Sequence, residues 1–363
     1  MSAVMRDALR ASVIPGLAVV AAIALSSRLV AEFLGSAIFS LGHSPVSPVM
    51  IAVLAGIAVR NTIGVSPLQD KGLALATGTL LRCGLALVGL RLTLSSIGVL
   101  GLRALPVVAG CLAVAWLAIP RIARGLGLRG ALVSLLTVGT SICGCTAVMA
   151  VAPVLKARAA ETGYAVTIVV VIGLAGALLY PALAHTLFAD APAAAGVFLG
   201  TAIHDTSQVM GAALIYSDQY LAPEALEAAT VTKLMRNLTL VLVVPVLAAM
   251  QARAGAAASG TGSLSLRKLV PGFVFAFVGL AALRSLGDVF GASSPAFVEH
   301  LWQPALALAA QLSELLLIVG MAGVGLNVEL RDLRHVGWQP LAAGLIAALL
   351  LATTSLALIS ALL

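Results

Sequence analysis

The chain has 363 residues, 61% of them apolar, 10% charged and 4% aromatic, with a formal charge of +7. A soluble domain carries roughly 25% charged residues, so a water-soluble enzyme is excluded. The excess bases flank apolar runs and read as membrane topology signals, with no nucleic-acid partner implied.

A bilayer-spanning helix needs about 20 apolar residues. Apolar windows fall at 11 to 30, 46 to 60, 72 to 92, 104 to 120, 130 to 155, 163 to 188, 193 to 217, 226 to 250, 269 to 287, 303 to 326 and 338 to 363. The fold class is therefore all-α, a polytopic membrane helix bundle of about 10–11 spans forming one integral unit over 1–363. Recurrent Gly and Ala suggest helices packed backbone to backbone. The first window follows MSAVMRDALR, which mimics a secretory signal, and reads as an uncleaved helix. The second is short, holds Pro48 behind Pro45, and reads as re-entrant or as starting near Phe33. Cys83, Cys111, Cys143 and Cys145 lie in apolar stretches without CxxC spacing and read as buried thiols. The Gly, Ala and Ser stretch at 251–268 reads as a flexible cytoplasmic linker.

Sidedness follows from the bases. With the N-terminus inside and the C-terminus outside, Arg121, Arg124, Arg129, Arg253, Arg267, Lys268, Arg331 and Arg334 all fall on cytoplasmic ends. Lys156 and Arg158 fall on the wrong side unless the fifth window is not a plain span.

Two internal similarities suggest inverted repeats of the kind transporters use. GLRLTL at 89–94 followed by Gly101 aligns with GLNVEL at 325–330 followed by Gly337, and GTSICGCTAVM at 139–149 aligns with GTAIHDTSQVM at 200–210. The second pair puts small polar and glycine residues inside apolar windows, where helix propensity is poor and hydroxyls compete for backbone groups. Two discontinuous helices are expected there. Unwound backbone at membrane depth survives only where protein buries it or a wet cavity lines it. Asp205, with Gln208 three residues on, fits a capping box for a helix restarting inside the membrane. His204 beside it is a candidate titrating group. Lys233 and Arg236 share one helix face near the start of their window. Arg82 lies mid-window and needs a carboxylate, Asp205 or Glu314, or an anionic ligand.

The segments GTSICGCTAVMAVAPVLKA, GTAIHDTSQVMGAA, VTKLMRN and the GLRL end of the third window together resemble the YeiH-like sulfate exporter family of bacterial inner-membrane proteins. That family usually reads SICGASA-like at the break, so Cys145 stands where Ala is expected and CGC is a poor argument for a metal site. The resemblance implies similarity to cation/proton antiporters and bile-acid symporters, with discontinuous helices crossing at mid-depth and a core domain moving against a second domain.

The preferred reading is a secondary transporter of a small anion, sulfate or a related organosulfur or inorganic anion, coupled to protons or sodium by alternating access. Thr140, Ser141, Cys143, Gly144, Thr146, Thr206, Ser207 and Gln208 would cradle the anion, Lys233 and Arg236 would supply countercharge, and His204 and Asp205 would take the coupling proton. The alternative is a monovalent cation/proton antiporter with Asp205 as the cation site, weakened by a shortage of mid-span acids. A membrane enzyme using Cys143 or Cys145 with His204 is a third and weaker reading. No cofactor or metal is expected, the bilayer is the standing partner, and a homodimer is compatible though no residue demands one.

Overall fold

The computed structural model describes residues 13–34, 46–253, 272–332 and 337–363. In chain order the helices are α1 (Ile14–Phe33), α2 (Pro48–Thr62), α3 (Asp70–Arg91), α4 (Leu94–Gly125), α5 (Ala131–Ser141), α6 (Cys145–Val151) and α7 (Ala159–Phe188). There follow α8 (Pro192–Ala202), α9 (Thr206–Tyr220), α10 (Pro223–Leu238), α11 (Leu240–Arg253), α12 (Gly272–Ser293), α13 (Val298–Leu326) and α14 (Trp338–Leu362). Every apolar window carries helix. Eight helical stretches among the described residues are long and apolar enough to cross a membrane, α10 and α11 counting as one, while α2, α5 and α8 are shorter apolar helices. The chain is an all-α polytopic membrane bundle, and the windows at 130 to 155 and 193 to 217 are both interrupted, as the sequence predicts. Most of the expected linker at 251–268, with Arg267 and Lys268, lies outside the described residues, as do Pro45 and Arg334.

The chain divides into two compact units. The first comprises Met1–Ile97, Leu214–Pro223 and Phe273–Leu330. Small residues let its backbones meet: an added Cβ at Gly56 of α2 would stand 2.5 Å from the Ala322 carbonyl oxygen of α13. Asn61 ties the far ends of these helices, donating to the Val328 carbonyl at 2.8 Å and accepting from the Leu330 amide at 2.9 Å. Arg60 pairs with Glu329 at 2.6 Å. A polar cluster sits at the start of α2, where the Ser47 hydroxyl caps the helix and donates to Asp218 at 3.0 Å. Glu314 and Arg91 act on the same carboxylate. Asp218 is an acid that the window pattern overlooked, because it lies at the end of its apolar run.

The second unit comprises Gly98–Ala213, Glu224–Gly272 and Arg331–Leu363. Its two interruptions are reversals of the chain. An added Cβ on Gly139 of α5 would touch Val148 of α6 at 2.8 Å, which two collinear helix halves cannot do. Glu161 accepts from the Arg158 amide and faces the Ala131 amide, so α5 and α7 begin side by side and α5–α6 is a hairpin entering from that end. At the other break Gly196 and Gly200 of α8 pack on Ala225 and Thr232 of α10, so α8 and α10 run parallel. The chain then turns back: Thr206 of α9 meets Asn237 of α10, and Met210 meets Thr230. Helix α7 spans between the two entrances, its Val169 against Gly139 and its Tyr180 against Phe198 of α8.

The crossing of discontinuous helices implied by the family resemblance is thus replaced by two re-entrant hairpins entering from opposite ends. At 1.5 Å per residue the 11 residues of α5 reach about 16 Å, half of a ~30 Å hydrocarbon core, so the tips meet near mid-depth. The reversal also explains Lys156 and Arg158: both return to the end that carries Arg121, Arg124 and Arg129.

Candidate functional site at the hairpin tips

The two breaks fall in one register. Helix α5 ends at Ser141 and α6 begins at Cys145, while α8 ends at Ala202 and α9 begins at Thr206, the positions paired in the internal alignment. Ile142 leaves the helix at φ −115, ψ −97 and Gly144 takes φ +70, whereas Ile203 is extended at φ −90, ψ 140. A positive φ at Gly144 is cheap only without a side chain. The aligned residue of the other hairpin is Asp205, and the two touch: a Cβ on Gly144 would stand 2.6 Å from Asp205 Oδ2 and 2.8 Å from its Cα. Gly144 makes the room that Asp205 fills.

Each helix end leaves backbone groups without a partner, which hydrocarbon cannot supply. Here side chains supply them in opposite senses. Lys233 Nζ donates to the carbonyls of Ile142 at 3.2 Å and Ile203 at 3.0 Å, which are equivalent atoms of the two hairpins, and to His204. Arg236 Nε donates to Ser141 at 3.1 Å, Nη2 to Thr140 at 2.8 Å, and Nη1 to Gly200, Thr201 and Ile203 at 3.1, 2.6 and 3.2 Å. Both cations are buried, at 0% and 1% exposure, on the negative ends of α5 and α8. At the positive ends Asp205 Oδ1 accepts from the Ser207 amide at 2.9 Å and hydroxyl at 2.5 Å, and Oδ2 from the Cys145 amide at 3.4 Å. One carboxylate therefore serves both returning helices.

The expected site residues separate into two layers. Asp205, Thr206 and Ser207 are partly exposed and Thr146 is exposed, with the Ser207 hydroxyl donating to the carboxylate. Asn237, which the sequence reading overlooked, donates to Thr206 Oγ1 at 3.2 Å. Beneath lie Thr140, Ser141, Cys143, Gly144, His204, Gln208, Lys233 and Arg236, all buried. The Thr140 and Ser141 hydroxyls donate within α5, to the Leu136 carbonyl at 2.7 Å and the Thr137 carbonyl at 2.6 Å.

Several expectations change. Lys233 and Arg236 stand in the middle of their span because α10 begins at Pro223, and their donors meet backbone carbonyls. The Asp half of the capping box forms, but Gln208 Nε2 instead reaches the Val170 carbonyl of α7 at 2.8 Å. His204 is 1% exposed and lies beneath the tips, with its backbone carbonyl held by Lys233. Arg82 and Cys83 are exposed on α3, so burial does not demand a carboxylate for Arg82. No group of metal-ligating side chains exists among the described residues.

The family model described as Conserved hypothetical protein 698 matches residues 15–344. The chain is similar to a UPF0324 membrane protein of Agrobacterium fabrum, 30% identical over 346 residues that cover 95% of this chain and 92% of that protein. It is similar to a Pseudomonas aeruginosa UPF0324 membrane protein, 35% identical with 93% and 90% covered, and to UPF0324 membrane protein TauZ of Paracoccus denitrificans, 34% identical with 94% and 92% covered. No solved structure matches. Two re-entrant hairpins, a polytopic helical bundle and similarity over nearly the whole chain lead to one statement: the protein belongs to the conserved hypothetical protein 698 family, whose relatives are UPF0324 membrane proteins.

Proposed function

We propose that the protein is a secondary active transporter of a small anion, sulfate or a related organosulfur or inorganic anion, coupled to protons. It sits in the bacterial inner membrane with its N-terminus and the Arg121 to Arg129 end cytoplasmic, and needs no cofactor or covalent step. The observation that carries the reading is the arrangement at the tips: two buried basic side chains cap the carbonyl ends of both hairpins, and one partly exposed carboxylate serves the N-termini of both returning helices. While Asp205 is ionised it occupies the helix N-termini where an anion would bind. The coupling proton would neutralise that carboxylate, weakening its hold on the hydroxyls and amides and leaving the positive charge of the tips without a competing anion. Proton and anion therefore bind together and move in the same direction.

A unit charge change ~6 Å from the solute is worth roughly 2–3 kcal/mol at an effective dielectric of ~20. Asp205→Asn should accordingly raise anion affinity at alkaline pH by roughly 30- to 150-fold and flatten its pH dependence. Flux into proteoliposomes with a panel of anions, with and without a pH gradient, reads this directly. Wild-type anion flux indifferent to the gradient would defeat the proton coupling.

Cation/proton antiport is favoured by one observation, that the accessible charge at the tips is the carboxylate. In that case Asp205→Asn would abolish cation exchange, and flux would depend on the cation and ignore the anion panel.

A further inference from the structure

The unwound carbonyls at the tips are satisfied by buried protein groups, but the partly exposed Asp205 needs protein or water around it at mid-membrane depth, and water there must reach one end of the protein. The two returning helices differ in what they offer. Helix α9 is buried at every residue from Gln208 to Ser217, with no face open. Thr146 and Met149, three residues apart on one face of α6, are exposed, Met149 to 60%, and Pro153 and Lys156 are exposed in the turn that follows. This stripe runs from the Asp205 carboxylate to the end where the exposed Arg121, Arg124, Arg129, Lys156 and Arg158 gather, with Glu161 paired to Arg158 at 3.2 Å. At the opposite entrance stand Asp190 and Glu224.

We infer that the exposed face of α6 lines an aqueous route by which a small anionic solute reaches Asp205 from the basic end. The route rests on the transporter reading for its purpose, yet it is measurable without any transported solute. The basic mouth concentrates anions by its field, an effect that salt screens.

The test uses the full-length protein in oriented membrane vesicles, comparing Met149→Cys with the wild type, whose own thiols set the baseline. Two membrane-impermeant methanethiosulfonates of similar size, one negative and one positive, are applied from either side and adducts are counted by mass. Such reagents react only with thiols in water, so a lipid-facing position stays unmodified. The expected result is one extra adduct on Met149→Cys from the basic end, at least tenfold faster than from the other end. Relative to a free thiol, the negative reagent should react faster than the positive one, with the gap closing at high salt. No extra adduct from either side, or faster reaction from the acidic end, would overturn the route. Equal rates for the two reagents would overturn its preference for anions while leaving proton-coupled flux to be judged by its own assay.

Discussion

Replacing Arg236 with Met is expected to destroy the fold of the hairpin tips rather than merely weaken solute binding. The guanidinium meets the carbonyls of Thr140, Ser141, Gly200, Thr201 and Ile203 in a region with 1% exposure. A buried carbonyl left without a donor costs about 1–3 kcal/mol. Several at once approach the ~5–15 kcal/mol that holds a whole domain together. Arg236→Met should therefore lower the melting temperature in detergent by about 10 °C or more, or leave no folded protein in the membrane. Arg236→Lys keeps the charge but loses the planar fork, so it should recover only part of the loss. A cation held purely as countercharge for a solute predicts the reverse pattern: Arg236→Met folds normally, melts near the wild-type temperature and fails only in flux.

The same geometry shows how far the sequence was legible. The helices were readable because membrane spans advertise themselves by length and hydropathy, and the two breaks because Gly139, Gly144 and Gly200 sit with hydroxyls inside apolar runs. The reversal of direction at each break was not readable. A helix that resumes across the membrane and one that folds back share the same composition, and only contacts such as Gly139 with Val148 separate them. The misplaced Lys156 and Arg158 were the one sequence signal of the hairpin. Roles within the tips were hidden for a related reason: a cation beside a break can meet a solute or a helix C-terminus, and spacing does not distinguish the two. Lys233 and Arg236 meet the backbone, which leaves Asp205 as the charged group at the tips that a solute or a proton can reach. Asp218 and Asn237 escaped notice because their partners, Ser47 and Thr206, are distant in sequence.

Gly144→Ala should separate transport from stability in the way Arg236 variants cannot. An alanine at φ +70, ψ −131 is strained, because side chains rarely adopt that backbone conformation, at a cost of about 1–3 kcal/mol. Its methyl would also stand 2.6 Å from Asp205 Oδ2 and 2.8 Å from Asp205 Cα, and the second contact involves backbone that no rotamer change can move. The two tips must part, and the 3.4 Å bond from the Cys145 amide to Asp205 is the weakest link between them. Lys233 and Arg236 keep their carbonyls meanwhile, so the bundle should still assemble, with a melting temperature only a few degrees lower. A displacement of about 1 Å at a reacting or binding constellation can cost about 10²-fold, so flux should fall by that order. The matched control is Gly98→Ala on α4, where an added methyl meets nothing within 4 Å, φ is helical and alanine favours the helix by up to ~1 kcal/mol. Gly98→Ala should transport normally and melt no lower than the wild type. Equal flux from Gly144→Ala and Gly98→Ala would mean that contact between the tips is not needed for transport, and the site would have to lie elsewhere in the bundle.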